Sequence, residues 1–354
     1  MKVLLTGGGT AGHVTPNVAL IEHFRKLDMD VAYVGSVTGI ERDIIANIGV
    51  RYFSISSGKF RRYFDWRNFV DPFRIIWGLL QSLVICLRER PQVVFSKGGF
   101  VAVPVVVAAW LLRIPVICHE SDVTPGLATR LCSPLVQIIC VNFPQTIQYL
   151  KGAKTLVTGT PIREALLKGD DRSGRDVLRF TKDKPIVMVF GGSLGAARIN
   201  AVVRSALDEL LCRYQVVHVV GAGNLDNRFA STGYVQREYL YEEFGDVLAA
   251  AEVVVARAGA NSIYELLVTR KPHILIPLPL AASRGDQLDN ARTFSSVGYS
   301  RMLDDLSLDD ESLVSLIDSV YQNRESIVKE IEKFEVIDSV TIIAELIEIT
   351  GEGS

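Results

Sequence analysis

Two stretches of this 354-residue chain follow one pattern, and that repetition constrains the fold more than any other feature. Lys2-Val3-Leu4-Leu5-Thr6 is a short aliphatic run that ends in Gly7-Gly8-Gly9-Thr10-Ala11-Gly12-His13 and passes into the apolar pattern Val14-Thr15-Pro16-Asn17-Val18-Ala19-Leu20. Ile186-Val187-Met188-Val189-Phe190 does likewise, through Gly191-Gly192-Ser193-Leu194-Gly195-Ala196 into helical periodicity over 198–211. An apolar run of strand length, then glycines, then a helical pattern reads as strand, tight loop, helix. Backbone N–H groups at a helix start point outward unpaired and carry partial positive charge, so each loop favours a phosphate or a developing negative charge. His13 is the odd member: a phosphate cradle has no need of a group that titrates near neutral pH.

Around these openings, strands and helices alternate. Strands are expected over 30–35, 51–56, 92–96, 115–119, 137–141 and 155–157, with helices over 39–48 and 71–90, the latter started by Asp71-Pro72 as N-cap and first-turn proline. Later strands are expected over 216–220, 233–238, 252–256 and 273–277, and closing helices over 323–335 and 340–349. The charged stretch 168–184, with Gly169-Asp170-Asp171-Arg172-Ser173-Gly174-Arg175, reads as flexible and puts a domain boundary near 163–174. The expected division is 1–163, 164–335 and a C-terminal helix in 336–354 packing back on the first domain. Alternation of this kind yields two α/β domains, each a doubly wound parallel sheet, facing each other across a cleft. The polar loops all fall at strand C-terminal ends, where open parallel sheets place their ligands.

The formal net charge of -2 leaves no basic excess for nucleic acid. Cys86, Cys118, Cys132, Cys140 and Cys212 are scattered, mostly within apolar runs, and read as buried reduced thiols rather than as metal ligands. The chain opens directly on a strand, with no export signal, and its longest apolar run, 101–112, is well short of the roughly 18 residues of a membrane span. It reads as a buried helix.

Gly7, Gly9 and Gly12 satisfy the spacing G-x-G-x-x-G, so a dinucleotide-dependent oxidoreductase is one reading. That fingerprint also wants an acidic residue at the end of the second strand, and here the strand ends Val34-Gly35-Ser36. In Ala256-Arg257-Ala258-Gly259-Ala260-Asn261-Ser262-Ile263-Tyr264-Glu265, small residues admit a ligand to the backbone and Glu265 lies within reach of ribose hydroxyls, while Ser193 can donate to a phosphate. The alternative is that Ala258 and Ala260 serve tight packing and Glu265 is solvated. Lys59, Arg61, Arg62 and Arg67, interleaved with Phe60, Tyr63, Phe64 and Trp66, suit an anionic lipid surface, or form a solvated loop whose aromatics pack on the helix below.

Taken in order, several loops resemble those of a known family. Gly7-Gly8-Gly9-Thr10-Ala11-Gly12-His13, Lys97-Gly98-Gly99-Phe100-Val101, His119-Glu120-Ser121-Asp122, Thr158-Gly159-Thr160-Pro161-Ile162-Arg163, Gly191-Gly192-Ser193-Leu194-Gly195-Ala196, Arg257-Ala258-Gly259 with Glu265, and Asp286-Gln287-Leu288-Asp289-Asn290-Ala291 resemble the ordered motifs of the MurG family. These are the bacterial transferases that move N-acetylglucosamine onto lipid I in peptidoglycan synthesis. The resemblance spans 2–300 and is nearest to Gram-positive members. It departs at Ser121-Asp122, where many members have Gln-Asn, at Phe100, where many have Tyr, and at Ala11, where many have Gly.

The resemblance implies a GT-B fold of two Rossmann-like domains. It implies an inverting hexosyltransferase that uses UDP-GlcNAc and lipid I, with no cofactor and no metal. Residues 1–163 would bind acceptor and membrane, and 164–335 the UDP-sugar. The enzyme would act as a peripheral protein on the cytoplasmic membrane face. Carried over position by position, the donor contacts are Thr10, Ala11, Gly12, Asp122, Arg163, Ser193, Leu240, Gly259, Glu265 and Gln287. Gly98, Gly99, Lys59, Arg61, Arg62 and Trp66 fall to the acceptor and membrane side. Inversion requires the C4 hydroxyl of the muramyl sugar to lose its proton as it attacks opposite the departing UDP. His13 is the first candidate base, or else a structural histidine of the loop. Glu120 and Asp122 are the reserve candidates, and His119 is either a participant or a core histidine. No Asp-x-Asp is placed to hold a metal, so helix termini would take its part at the diphosphate. Transfer to another lipid such as diacylglycerol, or binding of a nucleotide sugar without catalysis, remain the other readings.

Overall fold

The computed structural model describes residues 1–58, 67–192 and 195–353, of which 11 and 67–72 are described by backbone alone. The chain divides into two compact units: Met1–Arg163 with Ile337–Ser354, and Glu164–Val336.

The first unit is built on seven parallel strands: β1 Lys2–Thr6, β2 Asp30–Ser36, β3 Arg51–Ile55, β4 Val93–Ser96, β5 Val116–Glu120, β6 Ile138–Val141 and β7 Thr155–Val157. Their order in the sheet is β3-β2-β1-β4-β5-β6-β7. Leu5 stands opposite Tyr33 on one side of β1 and Phe95 on the other. Side chains alternate faces along a strand, and here both faces are covered, which is why the central strands read as unbroken apolar runs. Val3, Leu5, Phe95 and Ile117 enter one core with Leu20 and Phe24, whereas Leu4, Val94 and Ile139 enter the other with Val105 and Val106. The last helix, Ser339–Glu352, adds Ile343, Ala344 and Ile347 to the first of these cores and packs beside the helix Thr15–Lys26. A Cβ at Gly351 would stand 2.6 Å from Met1 Sδ, so the two ends of the chain meet in this unit.

The second unit has six parallel strands: β8 Ile186–Phe190, β9 Gln215–Val219, β10 Tyr234–Arg237, β11 Val253–Ala256, β12 His273–Leu275 and β13 Arg301–Met302. Their order is β10-β9-β8-β11-β12-β13. Each sheet therefore reverses its winding once, between β1 and β4 in the first unit and between β8 and β11 in the second. At such a switch point the loops leaving adjacent strands splay apart and open a crevice.

Three local readings are corrected. The stretch 168–184 is not a flexible linker: it contains the helix Asp171–Leu178, capped by Asp170, whose carboxylate accepts from Ser173 N at 2.7 Å. Gly174 lets that helix close on its neighbour Phe244–Ala250, since a Cβ there would come within 2.2 Å of Asp246 O, and Arg175 is tied to Glu252 at 2.7 Å. The helix after the second glycine loop breaks at Ala206 into Ala197–Ser205 and Leu207–Arg213. The helix expected from Asp71 starts earlier, running Arg67–Glu89.

Cys86, Cys118, Cys132 and Cys140 are buried free thiols, and burial pushes Cys86, Cys132 and Cys140 up to about 12. Cys212 is exposed. Among the described residues no helix is long and apolar enough to cross a membrane, and the run within 101–112 forms the largely buried helix Ala102–Leu111.

Candidate active site

The sequence-derived candidates in the first unit gather at its switch point. Thr10 and Gly12 belong to the loop leaving β1, Gly98 and Gly99 to the loop leaving β4, and Glu120 and Asp122 to the loop leaving β5. A single 3-10 turn, Ala11–His13, presents His13, whose backbone N–H donates to Thr10 O at 3.1 Å and whose Nδ1 lies 3.0 Å from Thr10 Oγ1. Gly98 lies beside this ring, because a Cβ there would stand 3.9 Å from His13 Cδ2. Gly99 has φ +81 and a Cβ position 2.3 Å from Gly8 O, so only glycine lets the two loops meet.

Sequence reasoning did not find the group that holds the first loop. Glu41, fully buried at the start of the helix Ile40–Asn47, accepts from Gly9 N at 3.2 Å, from Ser36 N at 3.0 Å and from Ser36 Oγ at 2.6 Å. The acid that was missing at the end of β2 thus comes from the following helix, and it binds the loop itself. Asn17 and Tyr33 complete the support: Tyr33 donates to Gly7 O at 2.7 Å, and Asn17 Nδ2 reaches Tyr33 Oη at 3.2 Å and His13 O at 3.4 Å. The only advance signal for Glu41 is an acid in a first helical turn, which the sequence cannot distinguish from an ordinary dipole partner.

Glu120, a reserve base, gives one oxygen to Asp122 N at 3.1 Å and the other to Gly126 N at 2.9 Å. That is the arrangement of a loop organiser, not of a carboxylate presented to substrate. His119 is buried and bonded at both nitrogens. Arg163 follows β7 at the edge of the sheet and is partly exposed. Lys59, Arg61, Arg62 and Trp66 lie outside the described residues.

The helix Arg67–Glu89, which follows them, exposes Phe73, Ile76, Trp77, Leu80, Val84 and Leu87. These positions recur at helical spacing, so they form one apolar stripe facing outward rather than core. Trp77, Leu80 and Val84 also line a cavity of about 490 Å³ with Tyr52 and Phe53.

In the second unit Leu240 lies in the loop after β10, Gly259 and Glu265 at and within the helix Ala260–Val268 that follows β11, and Gln287 in the helix Asp286–Ser296 that follows β12, while Ser193 lies outside the described residues. Gly192 has φ +89 with no atom of the described residues within 4 Å of its Cβ position, and Gly195 has φ +74 and a Cβ position 2.1 Å from Val220 O. Val220 O in turn accepts from Asn200 Nδ2 at 2.9 Å. His218 lies behind it, between Asn200 Oδ1 at 3.0 Å and Tyr234 Oη at 2.8 Å, and its burial holds it neutral, down to about 3.

Gly259 caps the helix Ala260–Val268 with an ordinary φ of -69, and among the described residues its Cβ position meets only Ser262 Oγ, at 4.0 Å. The backbone conformation does not require glycine there; the open space above it is the feature. Glu265 lies one and a half turns into that helix, partly buried. Arg257 is anchored by Asp305 at 2.6 Å and by Ile276 O at 3.1 Å, and Asn290 Nδ2 donates to Ala258 O at 3.2 Å. Gln287 Oε1 accepts from Leu278 N at 3.1 Å, and Leu240 is partly exposed beyond β10. Among the described residues no cluster of His, Cys, Asp and Glu is set to hold a metal ion.

Comparison with known proteins bears on this geometry directly. Residues 3–141 match the glycosyltransferase family 28 N-terminal domain and residues 186–345 its C-terminal domain. The chain is 49% identical over 347 residues, 98% of each chain, to the UDP-N-acetylglucosamine–N-acetylmuramyl-(pentapeptide) pyrophosphoryl-undecaprenol N-acetylglucosamine transferase of Clostridium botulinum (Loch Maree). It is 45% identical over 348 residues, 98% of this chain and 97% of the other, to the protein of the same name from Clostridium tetani. The crystal structure of Acinetobacter baumannii MurG superposes with a TM-score of 0.76 at 22% identity, covering 98% of this chain and 99% of that one, which shows the GT-B fold. With two doubly wound sheets, glycine loops at both switch points and matches to both domain models, this chain belongs to glycosyltransferase family 28 and, within it, to the UDP-N-acetylglucosamine–N-acetylmuramyl-(pentapeptide) pyrophosphoryl-undecaprenol N-acetylglucosamine transferases.

Proposed function

We propose that this protein transfers N-acetylglucosamine from UDP-GlcNAc to the C4 hydroxyl of the muramyl sugar of lipid I, with inversion, and so makes lipid II for peptidoglycan. The observation that carries the reading is near-full-length identity of 45–49% to transferases so named. Under it the first unit takes the acceptor and the membrane, and the second takes the UDP-sugar. Ser193, Gly259, Glu265, Gln287, Leu240 and Arg163 contact the donor, together with Thr10, Ala11, Gly12 and Asp122. The open backbone at Gly192 and Gly259 supports the nucleotide side of this assignment.

His13 is the base. To accept a proton at Nε2 it must carry its own on Nδ1, and Thr10 Oγ1, 3.0 Å away, is the acceptor that holds it there. Charge then builds on the departing UDP, where the N–H groups of the second glycine loop stabilise it. Glu120 keeps the loop after β5 in shape. The enzyme works as a peripheral protein on the cytoplasmic face, its outward apolar stripe on the helix Arg67–Glu89 seated in the lipid interface, and Lys59, Arg61, Arg62 and Trp66 add cationic and aromatic groups suited to anionic lipid.

Purified protein is expected to release UDP from UDP-GlcNAc only when a polyprenyl-diphosphate muramyl pentapeptide is supplied. Release with diacylglycerol in its place, or without any acceptor lipid, would overturn the assignment.

A further inference from the structure

Lys97 ends the β4 crossing and opens the loop of Gly98 and Gly99, yet it is only 1% exposed. Its ammonium donates to His119 Nδ1 at 2.9 Å and to Ser121 Oγ, both neutral acceptors. The charged and titratable groups facing it are His119, Glu120, Asp122 and Cys140, and Glu120 has both oxygens on backbone N–H groups. Burial pulls this ammonium down to about 8.

The other side of His119 fixes the direction of the chain of bonds. Its Nε2 lies 2.7 Å from Gly159 O, and a carbonyl only accepts, so Nε2 carries the proton and Nδ1 offers its lone pair to Lys97. Burial, and then the adjacent Lys97 charge, keep the imidazole neutral. Gly159 has φ +68 and lies in the segment that leads from β7 to Arg163. One unbroken series therefore runs from Ser121 through Lys97 and His119 to Gly159, joining the loops after β4, β5 and β7. Stability does not account for it: a buried ammonium is costly to desolvate, and an apolar chain of the same length is often neutral or better in its place.

We propose that Lys97 is a positioning residue, holding the loops that carry Asp122 and Arg163 in register with the Gly98-Gly99 loop beside His13. The proposal rests on the transferase reading above.

The test is Lys97→Met, which keeps length and removes the charge. Expected is a fall in kcat of about tenfold or more with KM for UDP-GlcNAc unchanged within about twofold, and an unfolding temperature equal to wild type or higher. In 15N-histidine spectra His119 stays neutral from about pH 6 to 9 in both proteins, because burial alone holds it so, whereas in Lys97→Met the Nδ1 resonance shifts on losing its donor. Ser121→Ala, which removes one of the two acceptors, is expected to shift the same resonance by less and to lower kcat by less. Wild-type kinetics in Lys97→Met would overturn the proposal, even with a moved His119 resonance. So would a loss of activity matched by a fall in unfolding temperature, because that is a structural role. A wild-type protein that shows the Nε2–H tautomer yet transfers nothing to the muramyl lipid would sink the transferase reading and not the bond series.

Discussion

Glu41→Gln is the sharpest perturbation of the first loop, because the carboxylate meets N–H groups with both oxygens. Oε1 takes Ser36 N and Ser36 Oγ, and Oε2 takes Gly9 N. Glutamine can keep only one of these roles. With its carbonyl on Ser36, its NH2 faces the Gly9 N–H, donor against donor. A hydrogen bond to a charged acceptor contributes about 1.5–3 kcal/mol. Gly9 sits at the exposed lip of the loop, where water replaces the lost acceptor, so the expected cost falls in the lower half of that range, about 2 kcal/mol. In a unit of this size that is a fall of roughly 4–8 °C in unfolding temperature by calorimetry. Activity should fall further than stability, since an error of about 1 Å in the placement of His13 is worth about a hundredfold in kcat. Amide exchange read by NMR should show Gly9 N–H opening in the variant. If Glu41→Gln unfolds with the wild type and its Gly9 amide exchanges as slowly, Glu41 does not hold the loop and the account of the first switch point is wrong.

Thr10→Val removes the acceptor that holds the proton on His13 Nδ1 and should lower kcat about a hundredfold, whereas Thr10→Ser restores most of the rate. His218 and His273 are held neutral by burial, down to about 3 and about 4, against 6.5 for the free group. Their neutral forms therefore stabilise the second unit fully above pH 6.5, and that stability is lost as pH falls toward those values, about 2 kcal/mol per histidine by pH 5. Urea titrations at the two pH values check it, and His218→Gln should flatten the slope. Replacing Trp77 and Leu80 together by Asp should abolish cosedimentation with anionic lipid vesicles while leaving the unfolding temperature within about 2 °C, because both side chains already face outward. Unchanged cosedimentation refutes the membrane role of that helix.

How much was legible follows from what kind of information each feature needs. The parallel sheets announced themselves because strands covered on both faces must be apolar throughout, as Val93-Val94-Phe95 and Val253-Val254-Val255 are. The loops were legible because glycine is required where φ is positive or backbones touch, as at Gly99 and Gly195. What stayed hidden were the polar side chains that face inward. Glu41, Lys97, Asn200 and Asn290 sit in patterns that would serve equally on a solvated face, and only tertiary packing turns them toward a loop. The helix Asp171–Leu178 was hidden for a related reason: its composition is that of a linker, and its order comes from the Asp170 cap and from the close contact at Gly174.

The two switch points look alike in sequence and differ in what their amides do. In the first unit the N–H of Gly9 is already given to Glu41, and a Cβ at Gly8 would strike that carboxylate at 2.4 Å. A loop that carries its own internal anion does not need a phosphate to complete it, and it would repel one at that amide. In the second unit Asn200 and Asn290, both neutral, bind the carbonyl oxygens of Val220 and Ala258. Among the described residues the space at Gly192 is open, and that at Gly259 is nearly so. The electrostatic difference, more than the glycine spacing that the loops share, is why the proposed nucleotide diphosphate belongs with the second loop and the proton acceptor with the first. A dinucleotide fingerprint would have put the phosphates at Gly9. The Glu41 carboxylate, contributed from outside the motif, reverses that reading.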